Sequence, residues 1–264
     1  MATEFSTKYT NANIADDAAE YHDGLFQQLH EKLSATAPSE TLATAILSVI
    51  LCAQQRGDAV VRLFRAVTED KSDVEIGPIF AAVREAITIV VPFVGLPNCM
   101  PACFGLVSEL RGRGIEEVPA TRRPNLDQLD YTKHGAESVS RIYRGVGNSE
   151  VRNMIQQYFP EMSYYGRTTV WGYLVGSSPI FELKDAEMLV AASIAGLGAT
   201  RQVRSHVKCA LSVGNSLELV SAMLEAAREI GSWNGRSLSG EIHAGELGEE
   251  LRRNLLAPDS IHSG

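Results

Sequence analysis

Residues 186–211 read AEMLVAASIAGLGATRQVRSHVKCAL, and this stretch predicts two consecutive helices. Its first half consists mainly of Ala, Leu and Val, which is a favourable helix composition. Gly196 and Gly198 interrupt that helix, and Thr200 is predicted to cap the next one. The second helix carries an amphipathic stripe at three- and four-residue spacing, made of Val203, Val207, Ala210 and Leu211.

The two helices carry one acid and one imidazole, Glu187 and His206. If the helices pack as neighbours, these side chains meet in a largely apolar setting. A neutral imidazole titrates near neutral pH and passes a proton in either direction. A carboxylate beside it orients the ring, and an apolar pocket raises the pKa of that carboxylate. Each residue also has a structural interpretation, as an acid favoured by a helix dipole and as a packed or surface histidine.

The spacing of Glu187 and His206, followed by Ala-Leu and Gly214, resembles the carboxymuconolactone decarboxylase family. That family shares its fold with alkylhydroperoxidase D. The resemblance extends upstream to Trp171-Gly172-Tyr173 and downstream to Gly231-Ser232-Trp233, and it covers residues 155–235. It implies an all-α bundle, a homo-oligomer and catalysis by the Glu187–His206 pair.

The peroxidase branch of that family has a Cys-x-x-Cys between the Glu and the His. The corresponding positions here are Ala199 and Gln202, so both thiols are absent. The resemblance therefore favours proton-transfer chemistry over a thiol peroxidase.

A weaker internal repeat relates the two halves of the chain. Residues 40–46, ETLATAI, resemble residues 187–193, EMLVAAS, and residues 80–86 resemble residues 220–226. Counted forward from Glu40, the first copy has Cys52 and Gln55 at the thiol positions and Ala59 at the position of the His. We interpret the first copy as a degenerate structural half, with chance similarity of two Ala-rich helices as the alternative.

The periodic segments are all helical and no long strand pattern occurs, so the predicted fold class is all-α. Predicted helices cover 21–33, 41–67, 79–94 (ending near Pro92), 104–111, 136–159, 217–230 and 246–256. The predicted organisation is an N-terminal arm (1–20), the first repeat (21–111), a linker (112–135), the second, active-type repeat (136–256) and a disordered tail (257–264).

Five further side chains are candidate substrate contacts: Gln202, Arg201, Trp171, Tyr165 and Cys209. Helical phase puts Gln202 on the face of His206, with Arg201 one position off that face. The aromatic residues at 164–173 are more often core than pocket, but the resemblance implies that this segment leads into the active helix. Cys209 is one turn beyond His206 and is a possible nucleophile, although a small buried Cys is the commoner role.

Composition limits the functional classes. The chain has 264 residues, 45% of them hydrophobic and 21% charged, which is typical of globular proteins. A net charge of −8 disfavours nucleic acid and anionic membranes as partners. The N-terminus lacks the pattern of a signal peptide, and the apolar run 86–94 is too short to span a bilayer. Four cysteines without a disulfide framework indicate a reduced, cytoplasmic location.

We therefore expect a cofactor-independent lyase or isomerase, without a metal, acting on a small carbonyl or carboxylate substrate. A non-catalytic binding or scaffold member of the family is the alternative, and a thiol peroxidase or redox protein is a weaker one. Four predicted helical stretches are apolar beyond one stripe: 40–67, 79–94, 187–213 and 217–230. That excess predicts a homo-oligomer, either a dimer or a trimer.

Overall fold

The computed structural model describes residues 8–10, 14–147, 149–236 and 240–257, and these residues form helices and loops without a strand. The all-α prediction is confirmed for this part of the chain. The helices are α1 Asp23–Ser34, α2 Glu40–Ala53, α3 Gly57–Val67, α4 Asp73–Val94, α5 Leu96–Gly112, α6 Tyr131–Ile142, α7 Ser149–Tyr158, α8 Pro160–Tyr165, a π-helical segment Gly166–Val175, α9 Leu183–Gly196, α10 Thr200–Ser212, α11 Leu217–Trp233 and α12 Ala244–Leu256.

Helices α2 and α9 form the centre of the fold and pack directly on each other. Both are buried along almost their whole length, and α4 and α11 each contact both of them. A Cβ atom at Gly196 would lie 2.8 Å from the Cβ of Ala53, so a glycine is required where the ends of α2 and α9 approach. Gln54 Nε2 donates a 2.7 Å hydrogen bond to the carbonyl of Gly196 and fastens this crossing.

Several helix boundaries differ from the predictions. Residues 41–67 form two helices because Gln55 adopts a left-handed conformation with φ of 64°. The helix predicted over 79–94 begins at Asp73, where Ser72 and Glu75 form a capping box. It continues past Pro92 because apolar residues before and after the proline are buried in the core.

Two other boundaries were also wrong. The helix predicted over 104–111 begins at Leu96, and the helix predicted over 136–159 is split between α6 and α7. Gly145 and Gly147 have φ of 75° and 81° in the turn that separates them. Thr200 does not cap α10: Ala199 is at the N-cap without a side-chain bond, and Thr200 Oγ1 faces the carbonyl of Gly198.

The π-helical segment packs closely on α6 through two glycines. A Cβ atom at Gly135 would lie 1.8 Å from the carbonyl oxygen of Arg167, and one at Gly172 would lie 2.1 Å from that of Tyr131. Backbone therefore touches backbone along this contact. At the end of the segment the amide of Gly176 donates to the carbonyl of Trp171 over 3.0 Å, five residues back. The close packing on α6 and this hydrogen bond together position the backbone of Trp171.

The core helices bury their apolar surface within this chain. From Leu42 in α2 and Ala186 in α9 to the ends of these helices every residue is buried, which removes the argument that these helices must associate with another subunit. Helix α4 is long and apolar enough to cross a membrane by length and composition, and 56% of its most apolar window is buried in the protein. Such burial is typical of a core helix in a globular protein.

The predicted domain boundaries remain predictions. Residues 113–130, within the predicted linker, connect α5 to α6 without a regular helix. Most of the predicted N-terminal arm and disordered tail, namely 1–7, 11–13 and 258–264, lies outside the described residues.

Candidate active site

The acid and the imidazole come from consecutive helices. Glu187 is in the second turn of α9 and His206 is in the second turn of α10. A short loop joins the helices, in which Gly198 has φ of 71°, a conformation that favours glycine. The chain reverses there, so that α9 and α10 pack side by side.

Glu187 and His206 form a buried hydrogen-bonded pair. His206 Nδ1 and Glu187 Oε1 lie 2.8 Å apart, and the exposed fractions of the two residues are 6% and 0%. Burial raises the pKa of the Glu187 carboxyl, and the neighbouring His206 opposes that rise. The second carboxyl oxygen, Oε2, is buried and has no hydrogen-bond partner among the described residues. The pair can therefore hold a proton out of contact with water.

Three aromatic rings enclose the imidazole. Trp171, on the π-helical segment, lies nearly parallel to it, at an interplanar angle of 13° and a centroid distance of 6.2 Å. Phe93 of α4 and Tyr143, just after α6, present their rings at steep angles, with centroids 6.3 Å and 5.9 Å away. Three separate elements thus supply the walls of the site.

The phenol of Tyr143 faces the free nitrogen of the imidazole. Its Oη lies 3.4 Å from His206 Nε2. Burial, with the nearby Cys209 and Glu187, raises the pKa of Tyr143 well above its ordinary value. The phenol is therefore protonated at neutral pH and can donate to Nε2, while Nδ1 donates to Glu187.

Cys209 is the third functional group at the site. Its sulfur and one ligand atom each of Glu187 and His206 all lie within 4.8 Å of one another. Oxygen, nitrogen and thiolate sulfur are the ligand types of Zn²⁺ sites, so these residues could hold a metal ion. Burial raises the pKa of the Cys209 thiol well above its usual range, and the Glu187 carboxylate adds to that shift. Without a metal the sulfur is a neutral thiol and a poor nucleophile.

Of the candidate substrate contacts, the structure places Trp171 and Cys209 at the pair. It puts Arg201, Gln202 and Tyr165 on the exposed surface. Gln202 is one turn before His206, in the first turn of α10, where its side chain is solvent-exposed. Helical phase predicted that Gln202 shares the face of His206. In the structure His206 is buried, whereas Gln202, one turn earlier, is exposed to solvent.

Sequence reasoning did not identify Phe93 and Tyr143 as site residues. Tyr143 lies within the helix predicted over 136–159, and Phe93 lies within the helix predicted over 79–94. Neither pattern distinguishes a core aromatic from one that touches an imidazole.

The first half of the chain has a different environment at the predicted repeat position. Glu40 is exposed at the first residue of α2, where it faces Lys71 across 3.5 Å, whereas Glu187 is completely buried. Helices α2 and α9 both have 14 residues, and Thr44 is at the place in α2 that Glu187 has in α9. Thr44 is buried and its Oγ1 lies 2.9 Å from Nε2 of His30. When the two helices are aligned at their first residues, Glu187 therefore corresponds to Thr44 and not to Glu40.

The fold and the site together define an all-helical protein with a buried carboxylate–imidazole pair walled by aromatic rings. No family model matches the chain. A 113-residue stretch is 29% identical to Peroxisomal protein 2 of Saccharomyces cerevisiae. That stretch is 42% of this chain and spans 40% of the length of the yeast protein.

Proposed function

We propose that this chain is a cofactor-independent lyase or isomerase in which Glu187 and His206 transfer a proton on a small carbonyl or carboxylate substrate. The observation that carries the proposal is the 2.8 Å contact of His206 Nδ1 with Glu187 Oε1 in a buried setting. A carboxylate on one ring nitrogen fixes the tautomer and leaves the other nitrogen, Nε2, basic.

In the proposed reaction, Nε2 removes a proton from the carbon next to a substrate carbonyl. The C–H electrons form the enolate, and the proton resides on the imidazolium, which Glu187 stabilises. The Tyr143 phenol, which faces Nε2 in this structure, donates instead to the enolate oxygen when substrate enters. Returning the proton to another carbon gives isomerisation. In a decarboxylation, the imidazolium protonates the carbanion left after CO₂ departs.

We also propose that the fold is of the carboxymuconolactone decarboxylase type and contains two diverged copies. Support comes from the sequence resemblance and from the paired packing, in which α2 contacts α4 and α9 contacts α11. Each central helix also contacts the outer helix of the other half: α9 contacts α4, and α2 contacts α11. This arrangement is expected for two related halves, with α2 corresponding to α9.

The proposed partner is a small molecule, and a net charge of −8 disfavours nucleic acid or an anionic membrane. We propose a cytoplasmic location from the cysteine content. The name of the yeast relative adds a peroxisomal location as the alternative. A fluorescent fusion at either terminus, imaged beside a peroxisomal marker, distinguishes the two.

A second candidate function is a non-catalytic binding or scaffold role. The enclosure of His206 favours it, since the three rings, that of Tyr143 among them, leave the residue only 6% exposed. A histidine with both nitrogens bonded can be a structural residue of the core. In that case His206 contributes to stability and to no reaction.

The test is a screen of small carbonyl compounds, lactones and enols by mass spectrometry, reading either a loss of CO₂ or a change of isomer. With an authentic substrate, His206→Ala should lose about 10²–10⁴-fold in turnover, the usual contribution of general acid–base catalysis. Glu187→Gln should lose less because it keeps the shape. His243→Ala, at an exposed histidine, is the matched control and should keep wild-type turnover. Near-normal turnover by a folded His206→Ala protein would refute the catalytic role.

A further inference from the structure

Helices α7 and α8 form an arm, residues 149–165, that is not packed into the core. None of the side chains described in it is buried. Its main contacts are internal: α7 packs on α8, and α8 packs on the π-helical segment that follows it. The arm therefore packs against the rest of the protein mainly at its α8 end.

Helix α7 nevertheless carries an apolar stripe at helical spacing, formed by Val151, Met154, Ile155 and Tyr158, and Phe159 and Met162 continue the apolar residues across the break into α8. Tyr158 is 67% exposed, Phe159 50% and Met162 57%. An apolar stripe on a stable helix is normally covered by another element. No helix among the described residues covers this one.

The exposed apolar area is large for a monomer. Six large side chains of the arm are exposed by 40–67%: Met154, Tyr158, Phe159, Met162, Tyr164 and Tyr165. An aromatic side chain buries roughly 150–250 Å² when covered, so these six offer roughly 600 Å². Val151 and Ile155, which are only partly exposed, add little to this area. That total approaches the roughly 800 Å² that each partner contributes to a standard interface.

The charge of the arm indicates which partner fits. The whole chain has a net charge of −8, so two copies repel each other over most of their surfaces. Within residues 149–165 the net charge is only −1, since Arg152 offsets one of Glu150 and Glu161, and Arg167 follows just after the arm. The arm is thus a weakly charged, apolar surface on an acidic protein, and like copies meet there with little repulsion.

We propose that the arm is the surface through which this chain binds a second copy of itself. The partner's arm supplies the missing cover for the apolar stripe. Homo-oligomerisation then depends on residues 149–165 and not on the core helices, whose apolar faces are already buried. Because α8 continues directly into the π-helical segment, the interface adjoins the element that carries Trp171. The proposal is independent of the reaction proposed above.

The test measures the mass of the full chain in solution by sedimentation velocity and light scattering. The wild-type protein should give two or more protomers of 28.6 kDa at micromolar concentrations. Tyr158→Glu and Met162→Glu should each weaken association at least about tenfold, since aromatic and apolar anchors dominate interface energies. Val74→Glu and Leu126→Glu are matched controls, because these residues are 85% and 81% exposed and receive the same added charge. Both controls should keep the wild-type mass.

Far-UV circular dichroism establishes that each variant is folded, and urea unfolding at a protein concentration low enough to dissociate the wild type should give the arm variants the wild-type midpoint. A wild-type monomer at about 50 µM overturns the proposal, since interfaces of this size bind at micromolar or tighter affinity. If that monomer sediments with zwitterionic lipid vesicles through the arm, a membrane is the occupant. Folded arm variants that keep the wild-type mass, or controls that dissociate equally, also overturn it.

Discussion

Removing the imidazole of His206 should make the stability of this protein depend on pH. In His206→Ala, the carboxyl of Glu187 remains completely buried and loses its partner. Burial already raises the pKa of Glu187, and His206 opposes that rise, so the variant has a higher Glu187 pKa than the wild type. The folded variant should therefore keep Glu187 protonated well above the ordinary pKa of a glutamate, about 4.3.

The sign follows from proton linkage. A carboxyl whose pKa is raised in the folded state gives full stability below its unfolded pKa and loses it as pH rises toward the folded pKa. In His206→Ala the free energy of unfolding should fall by up to about 1.4 kcal/mol per pH unit over that window. The total loss should approach the roughly 3–5 kcal/mol typical of an unpaired buried charge.

The assay is urea unfolding followed by far-UV circular dichroism at intervals from pH 5 to pH 8. His206→Ala should be much less stable at pH 8 than at pH 5, compared with the wild type over the same range. The double variant Glu187→Gln/His206→Ala is the control and should lose this extra pH dependence, because glutamine has no charge to bury. An identical pH dependence of His206→Ala and the double variant would refute the electrostatic account of the pair.

Three other predictions concern the surroundings of the pair. A thiol-blocking reagent should leave turnover largely intact, because Cys209 is buried and its pKa is raised; full loss that substrate prevents would restore the thiol interpretation. Elemental analysis should find less than one metal ion per chain, and chelators should not change turnover; a stoichiometric metal at Glu187, His206 and Cys209 would contradict the proposed reaction. Arg123→Gln should lower the free energy of unfolding by about 3 kcal/mol, because it removes the ion-pair partner of the buried Glu85 carboxylate. Arg122→Gln, at an exposed neighbouring arginine, is the control and should change the free energy of unfolding by less than about 0.5 kcal/mol. Equal effects of the two substitutions would refute that reasoning.

The sequence predicted the central acid–imidazole contact because that contact is local. Glu187 and His206 are on consecutive helices joined by a short glycine-containing loop, so the two side chains meet once those helices pack as neighbours, which was the condition of the prediction. The ring walls were not predictable in the same way. Tyr143 and Phe93 approach His206 only through the packing of α6 and α4, and a single sequence gives no evidence of that packing.

Local rules also failed where burial outweighed them. Pro92 was expected to end its helix, yet the helix continues to Val94 because the residues around it are buried. The apolar excess of the core helices was attributed to a subunit interface, whereas α2 and α9 bury it in each other. The apolar surface of α7 and α8 stays exposed, and only the folded structure shows that no helix among the described residues covers it.

The wide winding of residues 166–175 makes this segment sensitive to its length. In an α-helix each residue turns the chain by about 100°. A π-helical segment accommodates an extra residue because its backbone hydrogen bonds join residues five apart in sequence instead of four. Deleting one residue of the segment before Trp171 would let the winding tighten. Trp171 and Gly172 would then rotate together by about that angle relative to α6, and the indole would leave His206. Substitutions at exposed positions of the segment would leave the indole where it is. In evolution the residue count of this stretch should therefore stay fixed, even where side chains other than Trp171, Gly172 and the buried residues vary.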